Sequence, residues 1–502
     1  MRKIVDIIFV LALAFPCAAS VSTNVPLDHW SYDAIDKIVG RNLTDGAMMT
    51  TRPFSRLEMA RLIAEAMEKA HRLNEKNEII LAVLDRLIKE FKPELITIGA
   101  LDGDIFESFV KPLEDPYFKY LFADRKPDLE NLRGDVFDEH SNYRFGFASR
   151  MKFFDTAAFY FHPEYVDSSS NLDGDIELIE GYGKFQLGSL EVEVGKDSLW
   201  WGPGYHGSML MSNNTEPFKM LKISNPNPTL LPWIFRGLGP FKAVWFLTEL
   251  EKDRTIPEAK LTGLRFNFKP YPTLEFGLSR AIMFDGQARA DLGLRDYWDI
   301  FWATQENRPG KLNNNQLAGV DASILIPFDS TMPAKSIRLY TDLAAEDEAD
   351  GLPSNWGKLF GMQLNDILQT GRTDFLIEYA HNRIPGKPNV FYAHSLYQSG
   401  YTYKGRIIGH HMGTDARDLF LRLTHYLTED LIFGLEFDRE VINLSSTPHQ
   451  TTDALAFDLT SFGSNNWQWT VGYRYEHSKN SRFVSGETDD NHIFYLQVAY
   501  DF

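Results

Sequence analysis

Hydrophobic and polar residues follow two different periods along this chain, and the change of period predicts two structural parts. Between about residues 25 and 92, apolar residues recur at every third or fourth position, which is typical of amphipathic helices. Three such segments start near Trp30, Ser55 and Asn77. Ser55 and Glu58 also form a capping-box pattern, which favours a helix N-terminus at that point. We therefore predict a small α-helical module over residues 25–92.

From residue 141 to residue 502, apolar and polar residues alternate with a period of two, which places one set on each face of a β-strand. In one clear example, three apolar residues alternate with more polar or smaller ones: Leu274, Phe276 and Leu278 with Glu275, Gly277 and Ser279. This alternation fits a soluble sandwich, whose apolar side chains face a core, and also a membrane barrel, whose apolar side chains face lipid. We count roughly 16 to 18 strand-like segments, and single-chain bacterial barrels have an even number of strands.

The last predicted strand favours the membrane barrel. Its apolar face reaches the final residue and comprises Phe494, Leu496, Val498, Tyr500 and Phe502. A terminal aromatic residue after such alternation resembles the signal by which outer-membrane barrels are recognised for assembly. Aromatic residues make up 14% of the chain, which suits girdles at both membrane interfaces. The predicted fold is all-β: a large antiparallel transmembrane β-barrel of about 16–18 strands over residues 141–502, with a small N-terminal α-helical module.

The remaining segments are predicted to be irregular. Residues 93–140 show no clear period and contain Pro112, Pro116 and Pro127, so we predict a linker there. Longer polar stretches within the barrel region are predicted loops: Glu216–Leu238, Arg308–Gln316, Ala345–Asn355 and Ile384–Ala416.

The N-terminus has the pattern of an export signal. Arg2 and Lys3 precede the mostly apolar stretch Ile4–Phe15, and small residues follow at Ala18, Ala19 and Ser20. We therefore predict a cleaved signal peptide over residues 1–20. Together with the barrel pattern, this predicts a protein of the cell outer membrane, surrounded by its lipid. Cleavage would remove Cys17, the only cysteine, and with it any cysteine nucleophile or thiolate metal site.

Charge and hydropathy exclude two further classes of protein. The formal net charge of −18 argues against a nucleic-acid partner, because nucleic acids are bound through cationic surfaces. No segment after the predicted signal peptide has the roughly 18–20 consecutive apolar residues that a transmembrane helix requires. If such a chain spans a membrane, a closed barrel is therefore the remaining structure, because every backbone group in it is hydrogen-bonded.

Part of the helical module resembles a single S-layer homology module. The resemblance rests on Val25–Trp30, Ala34–Ile35 and Arg52–Ala60, and it weakens over Asp45–Thr51, where the usual glycine-rich turn is thin. S-layer homology modules bind cell-wall polymers, so the resemblance implies peptidoglycan as a partner. A packed helical plug or lid beside the barrel is the alternative interpretation of the same residues.

The most distinctive motif follows a predicted strand and extends from Gly195 to Asn214. It places Trp200 and Trp201 beside a Gly-Pro-Gly sequence, which predicts a rigid turn that displays flat aromatic rings. Such rings can stack on the apolar C–H faces of sugars, and nearby Asn, Asp and His side chains can hydrogen-bond to sugar hydroxyls. Two structural alternatives stay open: the tryptophans belong to a barrel girdle, or the Gly-Pro-Gly sequence plugs the lumen.

The same motif closely resembles the signature of the capsule-assembly Wzi family, and a weaker resemblance extends over residues 140–502. Members are outer-membrane barrels with a periplasmic helical portion, and they act as lectin-like surface anchors for capsular polysaccharide. The resemblance therefore implies a non-enzymatic anchor that binds capsular or other surface polysaccharide and attaches it to the cell surface. The S-layer-like N-terminus departs from the best-known members. The predicted polysaccharide-binding residues are Trp200, Trp201, Tyr205, His206, Asn213 and Asn214.

Other chemistry has weaker support. The sequence contains no zinc-helix, nucleophile-elbow or P-loop motif, so we predict no catalytic residue and no cofactor. His410 and His411, near Asp415 and Asp418, could bind a metal, but a polar loop is the simpler interpretation. Five acidic residues could gather Ca²⁺, although acids in outer loops are usually just solvated: Asp342, Glu346, Asp347, Glu348 and Asp350. We therefore predict no metal site.

Two rival functions fit the same fold, and we expect a monomer. A porin-like channel needs an open lumen, which the helical module and long inserted segments would obstruct. An outer-membrane polysaccharide-modifying enzyme needs a defined acid, base and nucleophile in a lumenal cleft, and the sequence singles out no such set.

Overall fold

The computed structural model describes residues 20–169, 171–301, 310–346, 348–349, 352–463 and 465–500. Residues 1–19 of the predicted signal peptide and the terminal Phe502 lie outside the described residues. Within the described part of the chain, no helix is both long enough and apolar enough to cross a membrane.

Eighteen antiparallel strands close into one barrel within the described residues. Each strand pairs with the next along the chain, and the last pairs with the first, with Tyr117 opposite Ala499. The predicted all-β fold is therefore confirmed. In chain order the strands are β1 Phe109–Ala123, β2 His140–Phe153, β3 Ala157–Ser168, β4 Asn171–Leu187, β5 Leu190–Asp197, β6 Phe218–Ser224, β7 Pro240–Glu249, β8 Lys260–Tyr271, β9 Leu274–Phe284, β10 Asn315–Pro327, β11 Ala334–Ala345, β12 Trp356–Ile367, β13 Thr373–His381, β14 Arg417–Tyr426, β15 Leu431–Ile442, β16 Gln450–Phe462, β17 Trp467–Lys479 and β18 Thr488–Tyr500.

The strand residues are exposed in the reverse of the pattern found in a water-soluble protein. In β9, Glu275 is 4% exposed and faces the lumen, whereas Leu278 is 46% exposed and faces outwards. Glu378 and Tyr379 repeat this arrangement in β13. An apolar outer surface on a closed barrel matches a lipid environment. The alternation therefore belongs to a membrane barrel and not to a soluble sandwich.

The two ends of the barrel differ in the length of their connections. At one end most strands are joined by short turns, such as residues 188–189, 272–273 and 427–430. At the other end the connections are longer and include residues 198–217 and 382–416. Bacterial outer-membrane barrels have short periplasmic turns and longer extracellular loops, so we assign the short-turn end to the periplasm.

The residues before the barrel form a helical module with its own apolar core. Ser55 caps its second helix, because the Ser55 Oγ accepts a hydrogen bond from the Glu58 amide at 3.1 Å. Asn77 caps the third helix in the same way. Both predicted helix starts are confirmed. The helices are α1 Ser31–Gly40, α2 Arg56–Leu73, α3 Glu78–Glu90 and α4 Lys92–Thr97, and α5 Leu294–Phe301 lies in an outer loop.

The helical module lies inside the periplasmic end of the barrel. Its charged side chains pair with charged side chains of the wall: Lys37 with Asp374 at 2.7 Å, Asp36 with Arg338 at 2.5 Å, and Glu58 with Lys242 at 2.8 Å. A buried charge that loses its partner is costly, so these pairs fix the position of the module in the lumen. The arrangement is that of a plug, which was the alternative interpretation of the S-layer-like residues.

Two predictions of irregular structure are wrong. The predicted linker over residues 93–140 contains β1, which closes the barrel by pairing with β2 and β18. Its period is hidden because the register with β2 shifts around Pro112 and Pro116, where a proline needs no ladder partner. The predicted loop Glu216–Leu238 contains β6, whose seven residues are too few to show a clear alternation.

Candidate functional site

Residues 198–217, which connect β5 to β6, fold back into the lumen from the extracellular end; we refer to them as the inserted segment. A two-residue strand in this segment, Trp200–Trp201, pairs with Thr51–Arg52 of the helical module. The Gly202 amide also donates a hydrogen bond to the Thr50 carbonyl oxygen at 2.9 Å. The lumen is thus occupied from both ends, and the two occupying parts meet inside it.

Carboxylates of the barrel wall hold the backbone of the inserted segment. Glu378 of β13 accepts hydrogen bonds at 2.8, 3.1 and 3.1 Å from three consecutive amides, those of Tyr205, His206 and Gly207. Asp342 of β11 accepts from the Met209 amide at 2.8 Å and from the Ser208 hydroxyl at 3.0 Å. Irregular backbone buried at membrane depth needs such partners, because lipid offers none.

Glycine is required at the turn that follows the tryptophans. Gly202 has a φ of +142°, which L side chains rarely adopt, and a Cβ there would lie 2.7 Å from Asp342 Oδ2. A Cβ at Gly204 would lie 1.9 Å from the carbonyl oxygen of Gly207. The Gly-Pro-Gly sequence therefore lets the chain turn sharply while it packs against the wall.

The two tryptophan rings are buried in the lumen. Trp200 is 6% exposed and Trp201 is 1% exposed. The Trp201 ring packs edge-on against Phe246, with ring centroids 5.5 Å apart. It also lies close to Gly263, where an added Cβ would be 2.7 Å from the Trp201 ring. The prediction that the turn displays these rings is therefore wrong, and their contact with polysaccharide stays a prediction. The interpretation of the motif as a lumen plug describes their position correctly.

The other four predicted contact residues also hold the interior together. Three of them are buried, namely His206, Asn213 and Asn214, and Tyr205 is partly buried. The side-chain Nδ2 groups of Asn213 and Asn214 donate hydrogen bonds to the carbonyl oxygens of Asn131 and Ile407, at 3.3 and 3.0 Å. All six residues thus lie in the inserted segment, and the two asparagines connect it to neighbouring outer loops.

The outer loop over residues 382–416 covers the inserted segment. The hydroxyls of Tyr392 and Tyr401 donate hydrogen bonds to the carbonyl oxygens of Met209 and Leu210, at 2.5 and 3.1 Å. Side chains of the loop and of the inserted segment share one apolar core. The inserted segment therefore supports this loop from below and fixes the position of its exposed side chains.

Three histidines and two carboxylates meet beneath this loop. His206 belongs to the inserted segment, His410 and His411 belong to the outer loop, and Asp418 and Asp438 belong to β14 and β15. The Nε2 atoms of the three histidines lie 3.7, 3.8 and 3.5 Å from the same oxygen, Asp418 Oδ2. His410 and His411 lie in a loop, as the polar-loop interpretation has it, but they point inwards: His410 is fully buried and the side chain of His411 is 9% exposed.

The three histidines of this cluster titrate differently. Burial opposes protonation of His206, but the nearby Asp438 carboxylate outweighs it and raises the pKa of His206 to about 9. Burial and the positive charge of His206 lower the pKa of His411 to about 4. Burial also lowers the pKa of His410. At neutral pH the cluster therefore contains one charged histidine and two neutral ones.

Two of the acidic residues considered for Ca²⁺, Asp342 and Glu346, have other partners in the structure. Asp342 lies in β11 and binds the inserted segment. Glu346 accepts a hydrogen bond from the Tyr392 amide. Asp347 and Asp350 lie outside the described residues. Asp342 and Glu346 thus bind other parts of the protein.

The apolar outer surface, the polar lumen and the two parts that fill it define a plugged β-barrel of the outer-membrane type. The chain belongs to the capsule assembly protein Wzi family, whose family model matches residues 123–493. The predicted family is therefore confirmed. The match begins after the helical module, so it does not extend to the S-layer-like residues.

Known proteins resemble this chain to different degrees. An uncharacterized 55.8 kDa protein in the cps region of Klebsiella pneumoniae is 28% identical over 204 residues, which span 38% of this chain and 38% of that protein. The Escherichia coli protein Wzi, described as a carbohydrate-binding β-barrel involved in group 1 capsule assembly, has a similar fold. The TM-score between the two structures is 0.74 at 19% sequence identity, and the match covers 96% of this chain and 100% of that chain. Pseudomonas aeruginosa OprD is more distant, with a TM-score of 0.47 at 11% identity over 80% of this chain and 96% of that chain.

We expect Trp201→Ala to destabilise the barrel by about 3–5 kcal/mol, because it removes a large buried ring and leaves a cavity. The measurement is the temperature at which the compact, fast-migrating form disappears on a detergent gel. Trp233→Ala is the matched control and should behave like the wild type, because Trp233 is 90% exposed in a periplasmic connection. A Trp201→Ala protein with wild-type heat resistance would contradict the buried position of the ring.

Proposed function

We propose that this protein is an outer-membrane anchor that binds capsular or other surface polysaccharide and attaches it to the cell surface. The observation that carries the proposal is membership of the capsule assembly protein Wzi family over residues 123–493, which include the whole inserted segment and most of the barrel. The E. coli protein of similar fold is described as carbohydrate-binding, which also supports the proposal. The proposed role is binding and not catalysis.

The filled lumen favours an anchor over a porin-like channel. The helical module and the inserted segment meet through the pairing of Thr51 with Trp201. Ion pairs such as that of Glu58 with Lys242 hold the module against the wall. Opening a channel would require both parts to leave, and their buried charges and backbone groups would lose their partners. A closed barrel of this kind is suited to act as a rigid support for outer loops.

We place the polysaccharide on the outer surface of the loop over residues 382–416. Arg383, Lys387 and Gln398 are exposed on this loop, and their N–H groups can donate hydrogen bonds to sugar hydroxyls or carboxylates. The six motif residues from Trp200 to Asn214 contribute indirectly, because they hold the loop in position from below. Tyr205 also lines a lumenal cavity of about 260 Å³ between the helical module and the wall.

The periplasmic side of the helical module is the proposed contact with peptidoglycan. Residues 25–60 resemble an S-layer homology module. The end of α2 exposes Arg72 and Leu73, and the connection from α2 to α3 exposes Lys76. The protein would act as a monomer within outer-membrane lipid, because its ring of strands closes within one chain.

The peptidoglycan contact predicts that purified wild-type protein sediments with peptidoglycan and that Arg72→Ala/Lys76→Ala protein sediments less, since it lacks two exposed cations. The measurement is the fraction of protein in the pellet. Wild-type protein that stays in the supernatant would remove peptidoglycan from the proposal and leave the polysaccharide role untouched.

The polysaccharide role predicts that Arg383→Ala/Lys387→Ala protein binds capsular polysaccharide several-fold more weakly than the wild type, because two exposed donors are lost while the interior is unchanged. The measurement is the binding of labelled capsular polysaccharide to purified protein, beside the ratio of cell-bound to released capsule. Lys252→Ala is the matched control, since the Lys252 side chain is 78% exposed in a different outer loop.

Two outcomes would count against this proposal. Equal binding by the wild type and by the double variant, at equal levels of folded barrel, would remove the loop from the binding site. A wild-type protein that binds no capsular polysaccharide and retains no capsule on cells would overturn the anchor role.

A further inference from the structure

We propose that His206, His411 and Asp418 form a binding site for a divalent transition-metal ion of the zinc type, with His410 and Asp438 at its edge. The three ligands come from three different parts of the protein: the inserted segment, the outer loop over residues 382–416 and strand β14. A bound ion would therefore tie the outer loop and the inserted segment to the barrel wall. This inference is independent of the polysaccharide role.

The geometry of the ligand atoms fits such an ion. His206 Nε2 lies 3.7 Å from Asp418 Oδ2, and His411 Nε2 lies 3.5 Å from the same oxygen. One ligand atom from each of the three residues lies within 4.8 Å of the other two. Zinc–ligand bonds are about 2.0–2.2 Å long, so two ligand atoms of a tetrahedral ion are about 3.3–3.6 Å apart. The two distances to Asp418 Oδ2 therefore lie within about 0.1 Å of the spacing that a tetrahedral zinc ion requires.

The histidine nitrogens of the proposed site are also buried without hydrogen-bond partners among the described residues. This holds for His206 Nε2, for both ring nitrogens of His411 and for His410 Nε2. It holds as well for one carboxylate oxygen each of Asp418 and Asp438. Buried polar atoms are nearly always paired, and leaving one unpaired costs free energy. A metal ion at the point where these atoms converge would displace the proton of His206 and would satisfy several of these atoms at once.

Surrounding residues orient the ligands and favour a cation. The His206 ring stacks on Phe420, with centroids 3.9 Å apart and an interplanar angle of 7°, which fixes the direction of its Nε2 atom. His206 also belongs to a second set of converging ligand atoms with Glu130 and Asp438. Arg474 binds Glu130 at 2.8 Å. The three carboxyl groups of Glu130, Asp418 and Asp438 outnumber the two cationic side chains, Arg474 and His206, so the cluster favours a further cation.

The test is metal binding by the full-length protein, purified in detergent and freed of metal with a chelator. We expect about one equivalent of Zn²⁺ per chain, and Co²⁺ in its place should give the visible absorption of a tetrahedral site. His411→Ala and Asp418→Asn should each weaken binding by at least about tenfold. His449→Ala is the matched control, because His449 is exposed in another outer loop and should leave binding unchanged.

Heat resistance separates a metal site from a simple ion-pair cluster. Under the proposal, Zn²⁺ raises the temperature at which the compact form is lost for the wild type and for His449→Ala, but not for His411→Ala. The proposal is overturned if folded wild-type protein binds neither Zn²⁺ nor Co²⁺, or if His411→Ala and Asp418→Asn bind them like the wild type. It is also overturned if the temperature at which the compact form is lost is lower for His411→Ala than for the wild type by the same amount with and without Zn²⁺.

Discussion

Backbone groups and charges placed at membrane depth must find partners within the protein, and this requirement shapes the whole lumen. The wall supplies many of these partners as carboxylates at inward-facing strand positions. Glu275 accepts hydrogen bonds from the Met49 and Thr50 amides of the helical module, both at 2.9 Å. Glu378 and Asp342 do the same for the inserted segment. One ring of strands thus holds two irregular segments that enter from opposite ends.

This arrangement gives the tryptophan motif a structural role that its composition alone does not suggest. Trp200 and Trp201 join the inserted segment to the helical module, and Trp201 shares one apolar core with side chains of the outer loop over residues 382–416. The exposed side chains of that loop therefore depend on packing deep in the barrel. Polysaccharide binding at the surface and the proposed metal site beneath it would both rely on this interlocked interior.

Features set by neighbouring residues could be predicted from the sequence, and features set by distant contacts could not. The strand alternation and the Ser55 cap are local, and both predictions are confirmed. Strand β1 was not predicted, because its irregular register with β2 hides the alternation of apolar and polar residues. The burial of Trp201 depends on Phe246 and on the helical module, which are far away in the chain. In the same way, the pair His410–His411 is visible in the sequence, but its meeting with His206 requires the folded barrel.

The central claim is that the helical module and the inserted segment together close the lumen, and conductance of the purified full-length protein in planar bilayers tests it most directly. A closed lumen predicts no long-lived current above the baseline for the wild type. Glu275→Ala/Asp342→Ala/Glu378→Ala protein, which lacks carboxylates that hold both the helical module and the inserted segment, should show intermittent openings. Large and stable open channels in the wild-type protein would contradict the claim.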